Sequence, residues 1–142
     1  MAALAASAAL AGPIAARPQT ADAPAPAPAL SPYTYEEVMV PMRDGARLQT
    51  VILRPRTQTG PLPILFSRTP YGVPDAAPKK TPGNQVSLDR DGYIYVEQSM
   101  RGRFKSDGVF TLSTAVHPGD PKQVDEATDA YDSIDWLVKN VA

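Results

Sequence analysis

The chain has 142 residues, room for one ordinary domain. Its 14 basic and 15 acidic residues leave a net charge of −1, with no basic tract for nucleic acid and no acidic solvating tail. The absence of cysteine excludes disulfides, zinc-thiolate sites and cysteine nucleophiles, and a single histidine excludes a His-rich metal centre.

The first 32 residues are dominated by Ala, Pro, Leu and Ser, with Arg17 and Asp22 as their only charges. Residues 1–23 resemble an export signal, an apolar segment from Ala2 to Ala16 followed by small residues, although no basic residue precedes Arg17. Residues 24–32 read as a stiff, solvated Ala/Pro linker. The segment is too short and too weakly apolar for a stable membrane span. These features imply a periplasmic or secreted protein. About 110 residues remain for a core, enough for a small domain.

The folded part opens with "YTYEEVMVPMRDGARLQTVILRP". Val38 and Val40 alternate with polar neighbours, and Leu48, Val51 and Leu53 follow Asp44-Gly45. That dipeptide predicts an antiparallel hairpin closed by a type I′ turn. A third strand is expected over "LPILFS" (62–67) and a fourth over "YIYVEQS" (93–99), the latter rich in β-branched and aromatic residues. A short helix over "QVSLDRDG" would end near Gly92. The last element is a helix over 120–141. Asp120 suits its N-cap, Pro121 its first position and Gln123 the reciprocal cap. Val124, Ala127, Tyr131, Ile134, Val138 and Val141 form one apolar stripe, widened by Trp136 and Leu137. A hairpin followed by strand, helix, strand, helix is the start of an α/β fold with a largely parallel sheet. The final helix should cross over to another parallel strand, so the sequence reads as cut within a sheet.

Local chemistry alone leaves the candidate residues open. Thr69-Pro70-Tyr71-Gly72 matches a type I turn, and Tyr71 is either a corner residue or a hydroxyl donor at the carboxyl end of a strand. His117 reads as a loop histidine and comes too early in the chain for an α/β-hydrolase base. No serine sits in a G-x-S-x-G elbow, and Ser106, preceded by Phe104 where a glycine should be, is a loop serine. The carboxylates at 125, 126, 129, 132 and 135 most simply form a solvated helix face.

Taken together, "VPMRDGARLQT" (40–50), "FSRTPYG" (66–72), "DGYIYVEQSMRGRFKSDG" (91–108) and "EATDAYDSIDWLVKN" (126–140) resemble the cocaine-esterase and X-Pro dipeptidyl-peptidase superfamily of serine α/β-hydrolases. The likeness is nearest to the α-amino acid ester hydrolases and covers residues 33–142. It implies the N-terminal part of an α/β-hydrolase fold, a hairpin leading into a mostly parallel sheet that stops before the nucleophile strand. It also implies that Tyr71 donates its hydroxyl to an oxyanion hole, a role open to a phenol that keeps its proton at neutral pH. Asp75 is the loose candidate for the carboxylate that recognises an α-amino group, separated from Tyr71 by Gly72, Val73 and Pro74. Ser99 stands where such proteins usually carry Asp. The implied enzyme acts on small esters, amides or short peptides, needs no cofactor or metal ion, binds no nucleic acid, and is compatible with a homo-oligomer. As given, the chain would be inactive, its serine, acid and histidine all missing. The alternative is a non-catalytic secreted binding module, or a half-enzyme that needs a second chain.

Overall fold

The structure, a computed structural model, describes residues 30–81, 92–111 and 124–141. The signal segment read over 1–23, most of the linker, the short helix read over 85–91, His117 and the cap read at Asp120–Gln123 lie outside the described residues. Strands β1 (Glu36–Pro41), β2 (Arg47–Leu53), β3 (Ile64–Thr69) and β4 (Ile94–Ser99) form one sheet in the order β1-β2-β4-β3. A helix, α1 (Glu126–Asn140), packs on one face. The β1–β2 and β2–β4 pairs are antiparallel, while β3 and β4 run parallel from Ile64↔Ile94 to Thr69↔Ser99. This is the expected hairpin entering an α/β layer.

Strand alternation divides the core into two faces. Ile52, Ile94 and Val96 meet Leu137 and Val141 of the α1 side, with Ile64, Phe66 and Trp136 partly buried against them. Val51, Leu53 and Tyr95 point the other way and pack with Tyr33, the Tyr33 and Tyr95 rings meeting edge to face at 5.6 Å. Ser31 and Pro32, read as the end of the linker, are already tied to this layer. Arg56 donates to both carbonyls, and Ser31 Oγ donates to Pro78 O at 2.6 Å.

Two local expectations are corrected. The hairpin loop spans three residues, 43–45, with Gly45 N–H bonded to Met42 O (2.9 Å) and Met42 N–H to Ala46 O (2.8 Å). Only Gly45 enters the left-handed region, at φ +87°, so the loop is a turn followed by a left-handed glycine rather than type I′. Asp44 instead turns its carboxylate to Ala46 N–H (3.2 Å) and to Arg101 (2.8 Å). The second correction concerns α1. Its N-cap is Asp125, whose Oδ1 accepts from Thr128 N–H (2.8 Å) while Thr128 Oγ1 accepts from Asp125 N–H (2.9 Å), a capping box.

The apolar stripe read along the helix faces the sheet only in part. Its Val141, with Leu137 and Trp136, packs against Ile52, Ile94 and Val96, while Ala127, Tyr131, Ile134 and Val138 are exposed and the buried line continues through Asp129 and Ser133. The reason is polar. Arg68 and Gln98 rise from the carboxyl ends of β3 and β4, Arg101 follows just beyond, and the helix turns toward them the groups that can answer. Of the acids, Asp135, paired with exposed Lys139, does lie on a solvated face, but the others do not: Asp125 caps the helix, Glu126 pairs with Arg68, Asp129 with Arg101 and Asp132 with Arg43.

Candidate active site

The carboxyl ends of the two parallel strands lie side by side, and open α/β sheets bind their ligands at such an edge. β3 delivers the turn carrying Tyr71, and β4 delivers the turn from Met100 to Gly108. A bond from Met100 N–H to Thr69 O (3.0 Å) ties the two turns where they leave the sheet.

Tyr71 is 87% exposed. Its backbone N–H donates to Thr69 Oγ1 (3.1 Å), which keeps the turn tight and leaves the phenol projecting from the edge. Asp75 is also exposed, and the structure does not join it to Tyr71. Its field reaches Tyr35 instead, whose phenol is pushed up first by burial, then by Glu37, and least by Asp75. Tyr35 Oη also donates to Pro74 O (3.2 Å), anchoring the strand of chain between the two candidates.

Beneath the edge lies a bonded polar layer. Arg101 forks onto Asp129 (2.6 and 2.9 Å) and onto Asp44 (2.8 and 3.2 Å). The Asp129 carboxylate above all, and Asp44 after it, raise the guanidinium's pKa, and Arg101 in return holds the Asp44 carboxyl below the usual carboxylate range. Arg68 donates from Nε to Gln98 Oε1 (2.9 Å) and from Nη1 to Glu126 O (2.8 Å), joining β3 to the first turn of α1. Gln98 completes the layer through Thr50 Oγ1 (2.9 Å) and Ser133 Oγ (3.1 Å).

Ser106 is buried within the β4 turn, donating from Oγ to Ser99 O (2.8 Å) and accepting from Gln49 N–H (2.9 Å). Both of its hydrogen-bonding roles are spent on structure, in keeping with a loop serine. Ser99 Oγ donates to Gln49 Oε1 (3.2 Å), so the serine at this position keeps a link across the β2–β4 pair. Sequence reasoning gave Arg103 no role and used Phe104 only to rule out a serine elbow. Arg103 Nε donates to Pro70 O (2.9 Å), and the Phe104 ring lies against Gly72. No local pattern announces either contact, because both are made only when two turns of different strands meet.

A hairpin feeding a parallel βα layer, with a phenol at the carboxyl edge, defines the chain as the opening part of an α/β-hydrolase. Residues 44–142 match the sequence profile of the X-Pro dipeptidyl-peptidase (S15 family), and the chain belongs to that family. It is 39% identical over 103 residues to a cocaine esterase of Rhodococcus sp. (strain MB1 Bresler), covering 72% of this chain and 16% of the esterase. Among solved structures it resembles an aminopeptidase from a marine sediment Thaumarchaeota archaeon, with a TM-score of 0.67 and 32% identity. It also resembles a selenomethionine-labelled α-amino acid ester hydrolase, with a TM-score of 0.65 and 35% identity. Each structural match covers 89% of this chain and 22% of the other, so the chain spans about a fifth of their length.

Proposed function

We propose that the chain is the N-terminal part of an exported serine hydrolase that cleaves ester or amide acyl bonds through an acyl-serine intermediate. Its substrates are small: α-amino acid esters, β-lactam acyl groups or X-Pro peptides. The observation that carries this reading is Tyr71, an exposed phenol held on a tight turn at the carboxyl edge of a parallel strand pair. The names of the relatives, an esterase, an ester hydrolase and an aminopeptidase, favour acyl transfer as the chemistry.

In this reading a serine attacks the acyl carbon and negative charge builds on the carbonyl oxygen. The Tyr71 hydroxyl donates to that oxygen beside the backbone N–H that follows the serine. The hydrogen bond strengthens as charge develops, so it lowers the barrier more than it tightens substrate binding. The serine, its acid and its histidine are assigned to polypeptide following residue 142, and residues 1–23 to export. Asp75, on the same loop as Tyr71, is the proposed contact for a substrate amino group.

Two assays test the assignment. Residues 1–142 alone should not turn over an activated ester above background; clear turnover would place the nucleophile within them and overturn the division of labour. In the full-length enzyme, Tyr71→Phe should lower kcat by on the order of 100-fold with little change in KM. An unchanged kcat would remove Tyr71 from the oxyanion hole. For export, N-terminal sequencing of the mature protein should find a start between Arg17 and Pro24, and recovery of an intact Met1 would refute it.

A further inference from the structure

We propose that Arg103 and Phe104 are positioning residues for Tyr71, holding the turn that aims its phenol. The inference rests on reading Tyr71 as an oxyanion donor. A donor of this kind must sit about 2.7–3.1 Å from the developing oxyanion. Tyr71 is 87% exposed, so burial of its own ring supplies little of that precision. The aim has to come from the backbone.

The backbone is held at both ends of one peptide plane. The carbonyl of Pro70 and the N–H of Tyr71 belong to the same planar unit, which rotates as one body. Thr69 Oγ1 accepts from the N–H at 3.1 Å, and Arg103 Nε donates to the carbonyl at 2.9 Å. With both ends tied, the plane cannot swing, and the Cα of Tyr71 is fixed with it. Arg103 is itself braced. Its guanidinium carbon lies 5.6 Å from the centre of the Phe104 ring and 5.1 Å from that of Phe110, within the reach of cation–π attraction.

Phe104 closes the other side. Gly72 has φ +100°, and a Cβ built on it would fall 2.8 Å from Phe104 Cζ and 3.0–3.1 Å from the adjoining ring carbons. The ring therefore occupies the space that a side chain at 72 would need, directly after Tyr71. Phe104 has φ 52°, and among the described residues it is the only non-glycine with a positive φ. An aromatic residue is a genuine outlier there, and strain of this kind concentrates at functional sites. Core burial does not compensate for it, since Phe104 is 63% exposed. What the conformation achieves is the contact with Gly72 and the bracing of Arg103.

The test is a mutant cycle in the full-length enzyme, with Tyr71→Phe, Arg103→Met, the double variant and Phe104→Ala compared on one ester. Misplacing a catalytic group by an ångström can cost up to about 100-fold, so Arg103→Met should lower kcat by about 10- to 100-fold with KM unchanged. The double variant should be no slower than Tyr71→Phe alone, because a missing hydroxyl cannot be misaimed. A slow Tyr71→Phe beside a wild-type Arg103→Met would overturn the positioning role and leave the donor standing. A wild-type Tyr71→Phe would overturn both. Multiplying effects in the double variant would show Arg103 acting apart from Tyr71 and would also overturn the proposal. Should Arg103→Met fail to fold, Phe104→Ala carries the same expectations, because it removes an exposed ring and leaves the Arg103–Pro70 bond possible.

Discussion

Asp129 takes both arms of the Arg101 fork and lies 3.7 Å from Arg68, in a position 1% exposed. Removing that charge leaves Arg101 with Asp44 alone and Arg68 with Glu126 alone for carboxylate partners, and breaking a buried pair costs more than the pair contributes when intact. Asp129→Ala should therefore destabilise the protein by about 3–5 kcal/mol, read from urea unfolding; a loss well under 1 kcal/mol would mean the pair is dispensable. Other carboxylates set the pH response. Hydrogen bonds from Arg101 and Arg43 hold Asp44 and Asp132 below the usual range. Their contribution is present above the unfolded aspartate value of about 3.9, and is lost as pH falls through the lower folded values. Glu97, on the sheet face away from α1, behaves oppositely because burial raises its pKa. Its contribution is present below the unfolded glutamate value of about 4.3 and is lost as pH rises through the raised folded value. Glu97→Gln should raise the melting temperature at neutral pH, with the gain shrinking as pH falls to about 4. A gain that grew on acidification would refute this assignment.

At the scale of elements, α1 shows what a sequence pattern can and cannot carry. Its existence, its acidic first turn and its basic last turn were legible from the sequence, as were four strands from their alternation and a hairpin from Asp44-Gly45. The buried face was legible only in part. Apolar spacing singled out Val141, Leu137 and Trp136, which pack on the sheet, but also Tyr131, Ile134 and Val138, which are exposed, because it cannot register that Arg68 and Arg101 wait at the strand ends for Glu126 and Asp129. The hairpin loop was misread for a related reason: Asp44 gives its carboxylate to Arg101, a partner 57 positions away. Tyr71 was singled out as a candidate only through the order of several motifs, and Arg103 not at all, since its bond to Pro70 is tertiary. The two helix faces should respond differently to substitution. Leu137→Ala opens the core beside Ile52, Ile94 and Val96 and should cost about 2–5 kcal/mol. Ile134→Lys, at an exposed position on the rim of the groove beside β3, should stay within about 0.5 kcal/mol. Denaturant melts of both variants give the comparison, and equal losses would restore the stripe as the buried face.

At the scale of the whole molecule, the sheet formed by the described residues has two edges of different character. β1 offers its edge with Glu36 and Glu37 on a strand ending at Pro41, and charge and proline both discourage pairing with another chain. β3 offers Ile64, Leu65 and Phe66, with Arg68 its single charge, and that charge is turned under α1. Beside β3, an apolar groove of about 510 Å³ runs between Leu62, Ile64 and Phe66 and the Ile134 and Val138 side of the helix. An apolar edge that pairs with no further strand among the described residues, next to an apolar groove, is a surface that associates. Residues 1–142 on their own should therefore show concentration-dependent self-association by light scattering. Ser67→Lys, at the exposed position of β3, should reduce it more than a lysine introduced on β1, where Glu36, Glu37 and Pro41 already discourage pairing. A binding module complete in itself predicts the reverse: a monomer at all concentrations with one cooperative thermal transition. Observing that monomer would mean the β3 edge needs no partner, and would count against reading the chain as one part of a larger hydrolase sheet.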